Sequence, residues 1–186
     1  MNFFSPQTSD QELFQGIQQG QARAMALLYE RYGQLVYSLA LRVLQQPQEA
    51  EDLTQEVFTG LWCRGSYNPQ RGSLGTYLMT LTRSRAIDRL RMRQARLRLV
   101  QRWGMGEAAL VAPGLWEQVS GQEQQERVRA ALGQLDPDQR RLLELAYYQG
   151  LTQAEIAAQL NLPLGTVKTR TRTVLLKLRQ LLHDQI

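Results

Sequence analysis

The sequence predicts an all-α fold in which two small helical domains are joined by a flexible linker, the C-terminal one being a helix-turn-helix. Apolar residues recur at helical spacing along most of the chain, and strand-like alternation is absent. Glycine and proline are concentrated at a few breaks between the helical stretches. One break is long, because residues 103–121 lose the helical periodicity. We therefore expect domains at 1–100 and 122–186, with residues 101–121 as the linker.

Length and composition limit the classes of protein to consider. The 186 residues and 21.3 kDa suffice for one compact domain or two small ones. A single cysteine, Cys63, and a single histidine, His183, argue against an internal disulfide, a zinc site or a histidine-based triad. No apolar run approaches the roughly 18 residues of a membrane span, and the N-terminus lacks the features of a signal peptide. We expect a cytoplasmic protein with no metal, no cofactor and no membrane insertion.

Net positive charge is concentrated in two separate segments. Residues 83–102 carry eight arginines against one acidic residue, and residues 162–186 carry five basic residues against one acidic residue. Residues 103–161 between them have four basic and eight acidic residues. This distribution is typical of a protein that contacts a polyanion at two points. Because only Asp88 accompanies the seven arginines from Arg83 to Arg98, we expect these arginines to lack acidic partners and to face a charged ligand.

Four helices are predicted in the N-terminal domain. A short helix begins near Asp10, and a long one over 22–44 has the inward face Leu28, Tyr32, Leu35, Val36, Leu39 and Val43. Pro47 suits the first position of a third helix, whose apolar side is Ala50, Leu53, Val57, Phe58, Leu61 and Trp62. Its other side is polar and mostly acidic: Glu49, Asp52, Gln55, Glu56 and Thr59. After a loop over 64–72, Ser73 can cap a fourth helix that becomes arginine-rich from Arg83.

The C-terminal domain carries the strongest local signals. Helical spacing over 122–135 stops at Asp136-Pro137, which can cap and open a helix to Tyr148. Thr152 and Glu155 have the spacing of a capping box for a short helix over 153–160. A turn through Pro163 and a longer basic helix complete a helix-turn-helix pattern. The predicted inward residues of this last helix are Leu164, Val167, Val174, Leu175 and Leu178, and the outward ones are Thr166, Lys168, Thr169, Arg170, Arg172 and Thr173. A cationic, hydroxyl-rich outward face suits contacts to phosphates and base edges.

These segments resemble a known family. Residues 135–172, with the step Gly165-Thr-Val-Lys-Thr-Arg170, are similar to the fourth domain of bacterial RNA polymerase sigma factors, whose usual sequence here is GTVKSR. Glu51-Asp-Leu-Thr-Gln-Glu-Val-Phe58 resembles the second-domain helix that docks on the polymerase clamp, and residues 71–91 resemble the promoter-melting helix. The resemblance covers about residues 22–100 and 122–183. Two domains and a short linker are similar to an extracytoplasmic-function (ECF) sigma factor.

The resemblance implies a role for three sets of residues. The polymerase core, through the β′ clamp and β, would be bound by Asp52, Leu53, Gln55, Glu56 and Phe58. The separated strand of the −10 promoter element would be bound by Tyr67, Arg71, Ser73, Tyr77, Thr80, Arg83, Ser84, Arg85, Asp88 and Arg91. The −35 element would be bound by Thr166, Lys168, Thr169, Arg170 and Arg172. The family further implies promoter DNA and an anti-sigma factor as partners. Thr171 departs from the family pattern, which usually has a core leucine there.

Two other classes of function remain open. A stand-alone helix-turn-helix transcription regulator with an N-terminal sensing domain would bind specific DNA without polymerase, whereas a sigma factor needs the polymerase core. An enzyme is disfavoured because the sequence has no glycine-rich phosphate loop, no metal-ligand spacing and no nucleophile–base pair.

Overall fold

The computed structural model describes residues 4–102 and 130–183, and every regular element in these ranges is helical. The all-α prediction is therefore confirmed for the described chain. The polypeptide divides into two compact units, residues 1–118 and 119–186. None of the described helices combines the length and the apolar character that crossing a membrane requires.

The N-terminal unit contains four α-helices in the predicted order. They are α1 (Asp10–Gln18), α2 (Ala22–Leu44), α3 (Pro47–Arg64) and α4 (Leu74–Arg102), with a short 3-10 turn at Pro69–Arg71. Ser9 caps α1 in a reciprocal capping box with Glu12, which places the cap one residue before the predicted start. Pro47 occupies the first turn of α3, and the Ser73 hydroxyl accepts a hydrogen bond from the Thr76 N–H at the start of α4.

The core of this unit forms around α2, which packs against α1, α3 and α4. Leu28 and Val36 are fully buried on α2, as the helical spacing predicts. The apolar side of α3 is buried through Leu61, but Trp62 remains 36% exposed. The prediction that Trp62 faces the core is therefore partly wrong. Trp62 lies at the C-terminal end of α3, where the described neighbours cover only part of its side chain.

The C-terminal unit contains the predicted helix-turn-helix. After helical residues 130–133 come α5 (Pro137–Tyr147), α6 (Gln153–Leu160) and α7 (Leu164–His183). Asp136 caps α5, and Thr152 with Glu155 forms the predicted capping box of α6. Asn161 closes α6 with a left-handed backbone, φ 51°, which makes the tight turn into α7. The core cluster consists of Leu142, Leu145, Ile156, Ala157 and Val167.

The predicted inward face of α7 is partly wrong. Val167 and Val174 are buried, but Leu164 is 41% exposed and Leu175 is 52% exposed. Leu164 is the first residue of the helix and lies before the packed turn. Leu175 lies to one side of the stripe formed by Val167 and Val174, and no described helix covers that side.

Most of the predicted linker lies outside the described residues, as do residues 122–129 of the predicted helical stretch before Asp136. Helix α4 runs to Arg102, so the first two residues assigned to the 101–121 linker are helical.

Candidate functional site

The polar side of α3 is exposed. Asp52, Gln55 and Glu56 point away from the core, in agreement with the acidic face predicted from the sequence. Leu53 and Phe58, from the same predicted set, are 0% and 4% exposed. Phe58 packs edge-to-face on the half-exposed ring of Tyr29, with ring centroids 4.9 Å apart. The available surface on α3 is therefore polar, while Leu53 and Phe58 hold the helix in place beneath it.

Arginines of α4 reach across to α3. Arg85 Nη1 lies 2.9 Å from Glu56 Oε1, and Arg89 Nη2 lies 2.5 Å from Glu56 Oε2. Arg93 Nη1 lies 3.7 Å from Glu49 Oε2. The expectation that the arginines from Arg83 to Arg98 lack acidic partners is therefore wrong for Arg85, Arg89 and Arg93. The partners come from another helix, and a count of charges within one segment cannot reveal them.

A second side of α4 is exposed and polar. Tyr77, Thr80, Ser84, Asp88 and Arg91 follow one another at three- and four-residue spacing, which places them on one face of the helix. Thr80, Ser84, Asp88 and Arg91 are exposed, and Tyr77 is half-buried. We call these five residues the outer face of α4. Arg85 lies off the outer face because it turns toward Glu56, and half-buried Arg83 lies off it on the other side.

The loop before α4 is built around a buried tyrosine. Tyr67 is 9% exposed, and its hydroxyl donates a hydrogen bond of 2.9 Å to the Gly72 carbonyl. Its ring packs edge-to-face on Phe14 of α1 at 5.0 Å and lies 5.6 Å from the Tyr77 ring. Burial raises the pKa of the Tyr67 hydroxyl above its ordinary value. Of the three loop residues predicted to bind DNA, Arg71 is exposed, Ser73 caps α4 and Tyr67 supports the loop from inside.

The basic side chains of α7 are more open. Lys168, Arg170 and Arg172 are exposed, and Thr169 is exposed with its hydroxyl bonded to the Gly165 carbonyl at 3.0 Å. Helical spacing divides the predicted set in two: Thr166, Thr169 and Arg170 share one side, and Lys168 and Arg172 share another. The first side borders a groove with an apolar floor, Leu142, Leu160 and Val174, and with Asp136 and Asp138 on its rim.

Thr171 is accommodated without an unpaired hydroxyl. It is half-buried between turns of α7, and its hydroxyl donates a 2.8 Å hydrogen bond to the Val167 carbonyl one turn back. A polar residue at a position where the related family usually has leucine therefore leaves no unsatisfied donor.

The described residues contain no cluster of three or more histidine, cysteine or carboxylate side chains that could hold a metal ion. Cys63 is a free, exposed thiol at the end of α3. The N-terminal unit presents charged and polar surface on α3 and α4, and the C-terminal unit presents such a surface on α7.

Family models match both units of the chain. Sigma-70 region 2 matches residues 28–96, and Sigma-70 region 4 matches residues 131–180. An ECF RNA polymerase sigma factor, SigK of Mycobacterium sp. (strain KMS), is 35% identical over 150 residues, 80% of this chain and 78% of that protein. The chain belongs to the ECF sigma factor family. It is thus a transcription initiation factor that works with RNA polymerase and promoter DNA, and the family membership decides against a stand-alone regulator.

One further curated relative and one solved structure are also similar to the chain. SigK of Mycobacterium ulcerans (strain Agy99) is 34% identical over 171 residues, which are 91% of each chain. Among solved structures, Rhodobacter sphaeroides SigE in complex with the anti-sigma ChrR aligns with 27% identity and a TM-score of 0.48, covering 95% of this chain and 99% of that one.

Sequence reasoning missed three residues of the sigma factor's surface network. Arg89, Arg93 and Glu49 form ion pairs, yet none of them belongs to the sets predicted to bind the polymerase core, the −10 element or the −35 element. A signal was present, because Arg85, Arg89 and Arg93 recur every four residues on α4, and Glu49 and Glu56 lie seven residues apart on α3. The spacing predicts stripes on each helix, but only the packed structure shows that the stripes face each other.

Proposed function

We propose that this sigma factor binds the polymerase core through the polar side of α3. The supporting observation is that Asp52, Gln55 and Glu56 are exposed together on the segment similar to the clamp-docking helix of the family. A polymerase surface that binds here would carry basic groups, and we assign it to the β′ coiled coil, with β as a further contact. Leu53 and Phe58 would act by fixing α3 from below, because both side chains are buried.

The outer face of α4 would hold the separated strand of the −10 element. It combines an aromatic ring, hydroxyl groups, a carboxylate and a guanidinium, which are groups that stack on bases, bind base edges and bind phosphate. Arg71 and Arg83 flank this face and would add phosphate contacts, while Ser73 and Tyr67 would shape the loop that leads into it.

Helix α7 would bind the −35 element in the major groove. Its Lys168, Thr169, Arg170 and Arg172 lie near the N-terminal end of the second helix of the helix-turn-helix, the part that contacts base edges in such motifs. Thr166 would contribute from the same end. The proposed domain limits are 1–100 and 122–186, and the 101–121 segment would connect the two promoter contacts.

An anti-sigma factor would hold the protein inactive. The polymerase and DNA surfaces proposed here are charged and exposed, so an inhibitor must cover at least one of them. A polypeptide that binds this chain without lowering its affinity for the polymerase core would contradict such occlusion.

The sigma factor would carry out no bond chemistry of its own. It would confer promoter specificity and stabilise melted DNA, leaving nucleotide addition to the polymerase core. Because both partners are found in the bacterial cytoplasm, we assign the protein to that compartment.

The observation that carries this proposal is the presence of both sigma-70 regions in one chain, at residues 28–96 and 131–180. The test is a gel shift with run-off transcription on genomic promoter fragments, with and without bacterial polymerase core. We expect discrete transcripts only when both proteins are present. Specific DNA binding without the core, and no transcript with it, would contradict the proposal.

A charge reversal tests the role of α4. Arg91→Glu is expected to abolish promoter opening, while affinity for the polymerase core stays unchanged, because Arg91 lies on the outer face and not on α3. Permanganate reactivity of thymines in the −10 element measures opening. Unaltered opening in the variant would remove α4 from the DNA-binding surface.

A further inference from the structure

We propose that the ion pairs between α3 and α4 position the outer face of α4 for DNA, and that Glu49, Glu56, Arg85, Arg89 and Arg93 are positioning residues and not DNA contacts. We call these five residues the α3–α4 ladder. The inference rests on the proposed role of the outer face. It gives Arg85, which the family resemblance assigns to the −10 set, a positioning role instead, and it gives Glu56 a second role beside polymerase binding.

Spacing puts the ladder on matching sides of two helices. Arg85, Arg89 and Arg93 are separated by one helical turn each, and Glu49 and Glu56 by two turns. A single carboxylate, that of Glu56, receives two guanidinium groups, one on each oxygen. One carboxylate bound by two guanidiniums from successive turns fixes both the position of α4 along its axis and its rotation about that axis, relative to α3.

Backbone carbonyls of α2 and α3 add to these ion pairs. Arg89 Nη1 donates to the Glu49 carbonyl at 3.1 Å, and Arg93 Nη1 donates to the Leu44 carbonyl at 3.3 Å. The side chains of Arg85, Arg89 and Arg93 are only 21%, 27% and 29% exposed. Their guanidiniums are therefore engaged with protein oxygens along much of their surface.

The ladder lies where the apolar packing of α4 comes to an end. Up to residue 97, the last buried residue of α4 is Leu90, whereas Met92 is 66% exposed and Leu97 is 47% exposed. Arg89 and Arg93 attach this stretch to the rest of the unit by polar contacts. Of the outer face, Arg91 follows Leu90 directly, so its direction depends on how α4 is held here, whereas Ser84 and Asp88 lie on the part of α4 that Ala86, Ile87 and Leu90 also hold by apolar packing.

The ladder and the outer face point in different directions. Arg89 is about 140° from Ser84 around the helix axis, at about 100° for each residue. An arginine on the α3 side cannot reach a strand that lies along the outer face without giving up its ion pair. The geometry thus separates the arginines of α4 into a positioning group and a DNA-binding group.

The test measures DNA affinity across a salt series. Holoenzyme at saturating polymerase core binds a promoter fragment identified by run-off transcription, with the −10 element mismatched so that it is already melted. Affinity for DNA falls as salt rises. Removal of a direct phosphate contact lowers the steepness of this dependence, the slope of log affinity against log salt, by about 0.7 for single-stranded DNA. Removal of a positioning residue weakens binding and leaves the slope unchanged.

Arg89→Gln is expected to weaken binding about fivefold with an unchanged salt slope. Arg91→Gln, on the outer face, is expected to weaken binding and lower the slope. Arg96→Gln is the matched control, because Arg96 is exposed on the same helix and makes no ion pair with any described residue. It removes the same charge and is expected to bind like the wild type.

Glu56→Gln gives the sharpest contrast, because general electrostatics and the ladder predict changes in DNA affinity of opposite sign. Since Glu56 also lies on the proposed polymerase-binding side of α3, the core is held at a concentration that saturates this variant. Loss of a negative charge would strengthen attraction to DNA, whereas loss of the ladder weakens binding by misdirecting α4. We expect weaker binding, and we expect the loss of affinity in the double variant Glu56→Gln/Arg89→Gln to be smaller than the sum of the two single losses, because both single variants remove the Glu56–Arg89 ion pair.

Stronger or unchanged DNA binding by Glu56→Gln would overturn the inference, and so would a lowered salt slope in Arg89→Gln. The inference would also be overturned if Arg96→Gln lost as much DNA affinity as Arg89→Gln. The Arg91→Gln variant distinguishes this failure from failure of the proposed function. If Arg91→Gln behaves as expected and Arg89→Gln behaves like the wild type, only the ladder is wrong. If Arg91→Gln has no effect, the outer face itself is not the DNA surface.

Discussion

The two basic helices of this sigma factor, α4 and α7, use their positive charge differently. On α4, three arginines pair with carboxylates of α3 and only part of the charge faces outward. On α7, Lys168, Arg170 and Arg172 are exposed, and none of these three side chains forms an ion pair with a described residue. Two segments that look equally basic in sequence thus differ in how much of their charge is available to a polyanion.

The difference follows from what each helix packs against. Helix α4 lies beside α3, whose exposed edge carries Glu49 and Glu56 in a stripe. Near α7, the carboxylates of Asp136 and Glu155 accept hydrogen bonds from backbone N–H groups at the starts of α5 and α6. Carboxylates used in caps are held at helix ends, whereas carboxylates in the middle of a helix face can reach a neighbouring helix.

The largest expected effect concerns the stability of the smaller unit. Ile156→Ala removes a fully buried side chain from the three-helix core of the helix-turn-helix, and we expect it to lower the free energy of unfolding by about 2–5 kcal/mol. Hydrogen exchange measured residue by residue would show lost protection in α5–α7 and unchanged protection in α1–α4. Ile156→Val is the control, with an expected loss of about 0.5–1.5 kcal/mol. Equal loss of protection in both units would show that they do not unfold separately.

The next effect tests the direct use of charge on α7. Arg170→Gln is expected to weaken holoenzyme binding to a −35 duplex by about 1–3 kcal/mol and to lower its salt slope by about one. Arg179→Gln removes the same charge from an exposed position farther along α7 and should have little effect. A weakened Arg170→Gln complex with an unchanged slope would mean that α7, like α4, uses this arginine for positioning.

Alkaline pH should destabilise the N-terminal unit. Burial and the hydrogen bond from the Tyr32 hydroxyl to Asp10 raise the pKa of Tyr32, and burial raises that of Tyr67. The folded state keeps both tyrosine hydroxyls protonated to a higher pH than the unfolded state does. The stability that the protonated hydroxyls provide is therefore present below the ordinary tyrosine pKa and is lost as the pH rises above it. Chemical unfolding of Tyr32→Phe should show a weaker loss of stability above about pH 10 than the wild type. Parallel curves for the two proteins would contradict this assignment.

The smallest effect is on the stability contributed by the ladder. Glu49→Gln is expected to lower the free energy of unfolding by no more than about 1 kcal/mol, because its ion pair with Arg93 is long at 3.7 Å and partly exposed. The difference from the wild type should disappear at high salt. A larger loss of unfolding free energy that persists at high salt would show that the Glu49 side chain stabilises α4 by more than its charge, for example by packing.

Much of the fold could be predicted from local sequence. Ser73, Asp136 and Thr152 cap helices where their positions indicate, and Pro47 opens α3, because a cap depends on residues within one helical turn. The helix-turn-helix has the same local origin. The family, too, could be recognised from the sequence, because its motifs are continuous segments of the chain.

The candidate site could be predicted only in part. The exposed sides of α3, α4 and α7 were expected from helical spacing, and most of the residues assigned to them are exposed. The burial of Leu53, Phe58 and Tyr67 limits what those three can touch, and it depends on packing against α1, α2 and the loop before α4.

The sequence by itself determined where helices begin and end, how the chain is divided by charge, and which family its motifs resemble. Tertiary structure alone decided which arginines of α4 meet Glu49 and Glu56 and which lie on its outer face. Helical periodicity gives each side chain a direction around its own axis, but the rotation of one helix against another is set by the whole core. A charge pair between residues 33 positions apart, such as Glu56 and Arg89, is a product of that packing.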